Sequence, residues 1–298
     1  MLQAEDVADV LRDVVPTIEG HSTEMFTSST NLPFEDMDTL TNDKTVFPTP
    51  SVCHGAHYLD PDVKVIEALP TSIIPKKSGA LYYPAVPNFF LGVTDMLGVG
   101  IVLLRQAAHA GAYGAHAIHS LREWIGVDML GVKELYDDQA YAYSVTYHPD
   151  DCIMKLYRHY ITAPTETGGR PHYHIQLLNH FLLGRYDYLI KGVTAFRNLR
   201  DLAKQHRDRF IELANLKARG ENAAAANGRA REEDAAATPQ ANANAGIHQN
   251  GQPPPPLAPP NAAVMSGALP PDLQFGLFNF DDNVGQVDPL GGNPSHFQ

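Results

Sequence analysis

Apolar positions follow a strand pattern and then a helix pattern in the middle of the chain. The short apolar run at 87–93 (Pro-Asn-Phe-Phe-Leu-Gly-Val) opens with a proline and predicts a buried strand. A segment rich in Ala and Gly follows and predicts a long helix over roughly 99–124. Glycine inside a helix costs about 1 kcal/mol relative to alanine, so Gly111 and Gly114 indicate close packing of this helix on the sheet.

The first 43 residues combine a helical pattern with an extended one. Apolar residues from Val7 to Val14 recur at helical spacing and predict an amphipathic helix within 1–19. Residues 20–43 are rich in Ser, Thr, Asn and Asp and carry scattered large apolar side chains. They predict an extended arm that packs these side chains onto the domain, with a mobile leader as the alternative. The Asp60-Pro61 pair then predicts a short helix that runs to Leu69.

Three strands and a second long helix are predicted after the first long helix. The strands fall at 141–148, 152–161 and 172–183. The helix falls at 186–217, with apolar residues on one side and a charged, solvated side opposite. After residue 218 the composition shifts to Ala, Asn, Gln, Gly and Pro, which predicts a disordered tail at 219–298. The pattern as a whole predicts a helix at 1–19, one α/β domain at 20–218 and this tail.

Composition limits the class of protein. The chain has 298 residues, a formal net charge of −12 and two cysteines that form no zinc or disulfide pattern. The acidic balance argues against a generic nucleic-acid binder. The N-terminus lacks the features of a signal peptide, and no apolar run reaches the roughly 18 residues of a membrane helix. These features predict a soluble intracellular protein, cytoplasmic or nuclear, without a membrane partner.

Histidine pairs are the first candidates for a metal site. His116 and His119 share a helix face, and His172 and His174 share a strand face. No acid or cysteine completes either pair at a typical spacing. We therefore expect satisfied or exposed histidines rather than ligands.

Two further motifs have simple structural interpretations. Gly98-Val99-Gly100 lacks the third glycine of a dinucleotide fingerprint and is interpreted as a turn. Cys53-His54 has no third partner in view, and no Gly-x-Ser-x-Gly elbow is present. We expect Cys53 to be an unreactive cysteine.

The strand–turn–helix unit around residue 92 carries the sharper hypothesis. One large class of magnesium-dependent nucleases places an acid on one strand, Glu-x-Lys on the next and Gln on the following helix. The helix of this chain brings Arg105-Gln106, but the Glu-x-Lys positions read Gly92-Val93-Thr94.

Several segments together carry a resemblance to a known family over about 25–218. They are Asn31-Leu32-Pro33-Phe34-Glu35-Asp36-Met37, Ile73-Ile74-Pro75, Ala85-Val86-Pro87-Asn88-Phe89-Phe90-Leu91, Arg105-Gln106-Ala107, Gly114-Ala115-His116-Ala117-Ile118-His119-Ser120-Leu121, Asp138-Gln139-Ala140-Tyr141, Gly168-Gly169-Arg170-Pro171 and Thr194-Ala195-Phe196-Arg197-Asn198-Leu199-Arg200. On these segments the chain resembles a fungal family of uncharacterised proteins with a PD-(D/E)XK nuclease-like domain. The resemblance implies a restriction-endonuclease-like core, with a mixed sheet flanked by helices.

The same resemblance assigns the catalytic positions, and most are lost in this chain. The Asp position falls on Ser51, the Glu position on Gly92 and the Lys position on Thr94, while Gln106 alone matches. No carboxylate then remains to hold a metal ion, so we expect no cofactor and no catalysis. The expected role is a binding or interaction module. The alternative is a Mg²⁺-dependent nuclease with relocated ligands; Asp95 was considered for this, but it is expected to point away from the Thr94 face.

Partners are the least constrained part of the prediction. Six cations are candidates for nucleic-acid binding, although the acidic balance favours an ordinary solvated surface for them: Arg105, Lys155, Arg158, Arg170, Arg197 and Arg200. The segment Leu273–Asp282 places large apolar side chains beside acids in the predicted tail. It is a candidate docking motif for a protein partner.

Overall fold

A six-stranded mixed sheet forms the centre of the computed structural model, which describes residues 6–20, 27–40 and 46–236, the last fifteen by their backbone alone. The strands lie side by side in chain order. They are β1 (Thr27–Thr30), β2 (Val52–Ala56), β3 (Ala85–Val93), β4 (Ala142–His148), β5 (Ile153–Thr162) and β6 (His172–Leu182). Only β3 and β4 are parallel; the other neighbours are antiparallel. The predicted α/β class, with a mixed sheet flanked by helices, is confirmed.

Six helices accompany the sheet in the described residues. They are α1 (Val7–Asp9), α2 (Val15–Glu19), α3 (Val63–Ala68), α4 (Gly100–Ile125), α5 (Val127–Leu130) and α6 (Tyr186–Ala236). A π-helical turn at Val10–Val14 joins α1 to α2, and Ala80–Tyr82 forms one 3₁₀ turn. The predicted helices at 60–69 and 99–124 are confirmed, and the described part of the predicted 1–19 segment is helical from Val7 to Glu19. No helix in the described ranges is both long and apolar enough to cross a bilayer.

Helix α4 is the crossover between the two parallel strands. Parallel strands need such a crossover because the first strand ends at the opposite end of the sheet from where the second begins. The turn before α4 is closed by Asp95, whose carboxylate accepts a hydrogen bond from the Leu97 N–H at 3.0 Å. A Cβ atom on Gly98 would lie 1.6 Å from Oγ1 of Thr94, so only glycine fits this turn. The turn predicted around Gly98 is confirmed.

Successive side chains of β3 point to opposite faces of the sheet and contribute to a hydrophobic core on each face. Phe90 points towards α4 and packs with Phe34 and Tyr113 in one core. Phe89 points the other way and meets Phe196 of α6, with ring centroids 5.2 Å apart. The predicted arm contributes Phe34, together with Leu32 and Met37, all of which are buried. Its described residues therefore pack on the domain as expected.

Helix α6 is longer than the sequence pattern indicated. It continues to Ala236, whereas the tail was predicted to start at residue 219. Residues 223–226 are alanines, the strongest helix formers, and the first helix-breaking proline comes only at position 239. The helix therefore runs past residue 218, where the domain was predicted to end. Residues 237–298, including Leu273–Asp282, lie outside the described part.

Candidate functional site

The first two positions that the resemblance assigns to catalysis face each other across β2 and β3. Val52 pairs with Leu91 and Cys53 with Phe90, so the same register places Ser51 opposite Gly92. The Ser51 hydroxyl accepts a hydrogen bond from the Val93 N–H at 3.0 Å, which fixes the side chain at the end of β3. These two positions, predicted from the resemblance, are therefore neighbours in space.

A cavity of about 310 Å³ opens between this strand end, the 46–51 loop and helix α4. Ser51, Gly92 and Gln106 all line it, so the structure brings together three of the four predicted positions. Thr94 does not line this cavity. It lies beyond the last residue of β3 and packs against Gly98 in the following turn.

The described wall of this cavity carries no charged side chain. Its polar groups come from Ser51, Gln106, His109, Ser144 and the neighbouring Thr49, and apolar side chains complete it. A hard cation needs several oxygen ligands, usually including carboxylates, and this wall supplies no carboxylate. Within the described ranges, no group of three or more His, Cys, Asp or Glu side chains is arranged to hold a metal ion. Asp95, the candidate for a relocated metal ligand, instead accepts a hydrogen bond within its own turn.

Position 92 accepts a Cβ atom with a small shift of its neighbour. A Cβ atom there would lie 3.1 Å from Cδ1 of Leu103 and 4.0 Å from the carbonyl oxygen of Val145. Leu103 would need to shift by a few tenths of an ångström. The backbone contacts at Gly92 therefore do not by themselves require glycine.

The deepest polar group in the cavity is Ser144, which sequence reasoning missed. Its hydroxyl lies 2.7 Å from Nε2 of His159, and both side chains are buried. Burial lowers the pKa of His159 to about 3, so the ring is neutral at pH 7. A base with so low a pKa is poorly matched to proton abstraction at neutral pH. The pair connects β4 to β5 diagonally, and this connection follows from strand register that no local motif reveals.

The histidines considered as metal ligands have ordinary partners. His116 Nδ1 lies 3.2 Å from the Tyr173 hydroxyl, and His174 Nε2 lies 2.9 Å from Oγ1 of Thr162. The His119 ring packs on Tyr136, with centroids 4.7 Å apart. For these three side chains the expectation of satisfied histidines is confirmed.

The Cys53-His54 pair is also structural. Cys53 is fully buried, and burial raises the pKa of its thiol far above neutrality. His54 Nε2 lies 2.9 Å from the Glu19 carboxylate, on the opposite face of β2 from Cys53. These properties fit the expected unreactive cysteine.

Two of the candidate nucleic-acid ligands are fixed within the fold. Arg197 donates to the backbone carbonyls of Ile18 and Thr17, at 3.1 and 3.0 Å. Arg200 is only 6% exposed and donates to the Glu19 carbonyl at 3.1 Å. Both guanidinium groups therefore satisfy the carbonyls at the end of α2, which lack helical partners. The predicted solvated face of α6 was wrong at Arg200.

The other four candidates are dispersed. Lys155 and Arg158 are three residues apart on β5 and so lie on opposite faces of the sheet. Arg158 donates to Oε1 of Gln176 at 2.8 Å, while Lys155 lines a separate cavity of about 410 Å³ beside the start of α4. Arg170 donates to the Leu40 carbonyl, and Arg105 is exposed on α4. The six cations do not form one basic surface.

Comparisons with protein-family models, with curated proteins and with solved structures found no match to this chain. The site is therefore interpreted from its own geometry.

Proposed function

We propose that the protein is a catalytically inactive nuclease-like domain that serves as a binding module. The observation that carries the proposal is the shared cavity of Ser51, Gly92 and Gln106, which has no carboxylate in its described wall. The antiparallel β1–β2–β3 unit, followed by the α4 crossover to parallel β4, supports a restriction-endonuclease-like core.

The chemistry of phosphodiester cleavage explains why such a site is inactive. Metal-dependent nucleases use carboxylate-bound Mg²⁺ to polarise the phosphate and to generate the attacking hydroxide. Ser51 and Gly92 supply no negative charge, and Thr94 supplies no cation for the phosphate. The remaining Gln106 can hydrogen-bond to a ligand but cannot hold the metal.

The properties of the cavity fit binding without catalysis. Its volume of about 310 Å³ lies at the lower end of the range for small-molecule sites. Hydroxyl, amide and imidazole groups in its wall recognise uncharged polar groups. Since the described wall has no Lys or Arg, a phosphate would gain no ion pair there.

The test is a nuclease assay on single- and double-stranded DNA and RNA with Mg²⁺ or Mn²⁺. The wild-type chain is compared with a restored variant, Ser51→Asp/Gly92→Glu/Thr94→Lys, and with an uncharged control, Ser51→Asn/Gly92→Gln/Thr94→Met. We expect cleavage and a Mg²⁺-dependent rise in Tm for the restored variant alone. The control has similar side-chain sizes, so it separates the restored charges from altered packing.

Two outcomes would overturn the proposal. Wild-type cleavage that Gly92→Trp abolishes would show an active site in this cavity, with ligands relocated from the assigned positions. A folded restored variant that neither binds Mg²⁺ nor cleaves would show that Ser51, Gly92 and Thr94 are not the nuclease positions.

A further inference from the structure

Strand β6 forms one edge of the sheet. Its inner side pairs with β5 from His172 opposite Thr162 to Leu182 opposite Ile153, with one register shift at Leu178. No strand in the described ranges pairs with its outer side. The opposite edge of the sheet is β1, which has 4 residues, whereas β6 has 11. The sheet therefore has one short edge and one long edge.

The long edge lacks most of the usual protection against strand pairing. Natural edge strands are blunted by charged residues, especially lysine, by proline, by shortness or by β-bulges. Of these, β6 has only an irregularity at Leu178. The sequence of β6 is His-Tyr-His-Ile-Gln-Leu-Leu-Asn-His-Phe-Leu, with no Asp, Glu, Lys, Arg or Pro. In a chain with a formal net charge of −12, this uncharged run is unusual for an exposed strand.

Apolar side chains are exposed along the same strand. Ile175, Leu177, Leu178 and Leu182 are 36%, 48%, 37% and 44% exposed. The first turns of α6 follow directly and expose Tyr186, Tyr188 and Ile190. Exposed apolar residues that continue from a strand onto the next helix mark an interaction surface better than scattered ones do.

We propose that β6 pairs antiparallel with β6 of a second copy, so that one sheet continues across a two-fold axis. A backbone edge is complementary to itself in the antiparallel direction, which is the geometry of a two-fold interface. The strand has no charged residue to repel its copy, although two chains of net charge −12 repel each other elsewhere. A charged peptide would find no ion-pair partner on β6, whereas a second β6 offers the same uncharged, apolar surface.

Substitution of Leu177 tests the interface. We expect the full chain to be dimeric in sedimentation equilibrium, and Leu177→Lys to weaken the dimer by about 100-fold or more, because two ammonium groups would be placed at the paired edges. Leu216→Lys is the matched control, since Leu216 is also 48% exposed but lies 30 residues beyond the start of α6. Circular dichroism and Tm verify that both variants fold.

Hydrogen exchange identifies what covers the edge. We expect the outer amides of β6 to be protected at high protein concentration and to exchange faster when dilution dissociates the dimer. A wild-type monomer with protected β6 amides would show that the chain covers its own edge. That result would overturn the proposal, as would a monomer with exchanging amides or a dimer that Leu177→Lys leaves intact.

Discussion

Helix α4 and helix α6 are attached to the sheet by different kinds of contact. Helix α4 presents glycines: a Cβ atom on Gly111 would lie 2.1 Å from the His159 ring, and one on Gly114 would lie 2.5 Å from the Phe90 ring. Helix α6 makes one such approach, at Gly192, but elsewhere its described contacts with β3 are made by large side chains and hydrogen bonds. Close backbone packing is possible only where glycine leaves out the Cβ atom. Attachment through hydrogen bonds instead requires that each donor keeps its acceptor.

Asn88 is the centre of the hydrogen-bonded attachment. This fully buried side chain on β3 donates to the carbonyls of Tyr141 and Ala203, at 2.9 and 2.7 Å. Its own oxygen accepts from the Arg207 guanidinium at 2.8 Å. Arg207 is only 3% exposed, so α6 is joined to the sheet through a buried cation.

The largest expected effect therefore comes from Asn88→Leu. Leucine has a similar size but leaves Arg207 buried without this acceptor and leaves two carbonyls without these donors. We expect the free energy of unfolding to fall by about 3–5 kcal/mol, measured by urea denaturation. The double variant Asn88→Leu/Arg207→Leu removes both ends of the contact, so its loss should be clearly smaller than the sum of the two single losses. Additive losses would show that the two side chains are not coupled.

This contrast also shows how far the sequence alone reaches. Glycine inside a helix has a known cost, so close packing at Gly111 and Gly114 was predictable and is confirmed. The sequence pattern of a helix does not distinguish an arginine that faces water from one that donates to an acceptor far away in the chain. Arg200 and Arg207 were predicted as solvated, and both are buried, because their acceptors lie on Glu19 and Asn88, more than 100 residues away.

The residues of the candidate site also fall into those that the sequence predicted and those that it did not. Ser51 and Gly92 belong to neighbouring strands, and Gln106 to the helix that follows, so local pattern and the family resemblance together predicted three of the lining residues. Ser144 was missed because it reaches the cavity only through the parallel pairing of β4 with β3, which places it beside Phe90. That pairing depends on the crossover and leaves no spacing motif in the sequence.

The next effect in size concerns the glycine contacts. Gly111→Ala forces a methyl group against the His159 ring, which is buried and hydrogen-bonded to Ser144. We expect a loss of about 1–3 kcal/mol in the free energy of unfolding, despite the better helix propensity of alanine. Gly220→Ala on α6 is the control: no atom lies within 4 Å of the added Cβ, so we expect a gain of up to about 1 kcal/mol. Equal effects at both positions would contradict the contrast between the helices.

The smallest effect at mild acidity comes from the histidine beneath α4. The pKa of His159 is lowered to about 3 by burial, whereas a histidine in the unfolded chain titrates near 6.5. Between these values the unfolded chain binds a proton that the folded chain does not bind. Stability is therefore lost as pH falls through about 6.5, with a slope for this side chain that approaches about 1.4 kcal/mol per pH unit well below that value.

His159→Gln isolates this contribution because glutamine does not titrate. Urea denaturation at pH 7, 6 and 5 should show a weaker fall of stability with acid in the variant, with the difference growing by about 0.7 kcal/mol from pH 7 to 6 and by about 1.2 kcal/mol from pH 6 to 5. His119 and His206, whose pKa values burial lowers to about 4, remain in both chains and contribute equally. Parallel pH profiles would mean that His159 is protonated in the folded chain, and the close packing of its ring on Gly111 would then enclose a charge. A buried imidazolium there would need a hydrogen-bond acceptor besides Ser144.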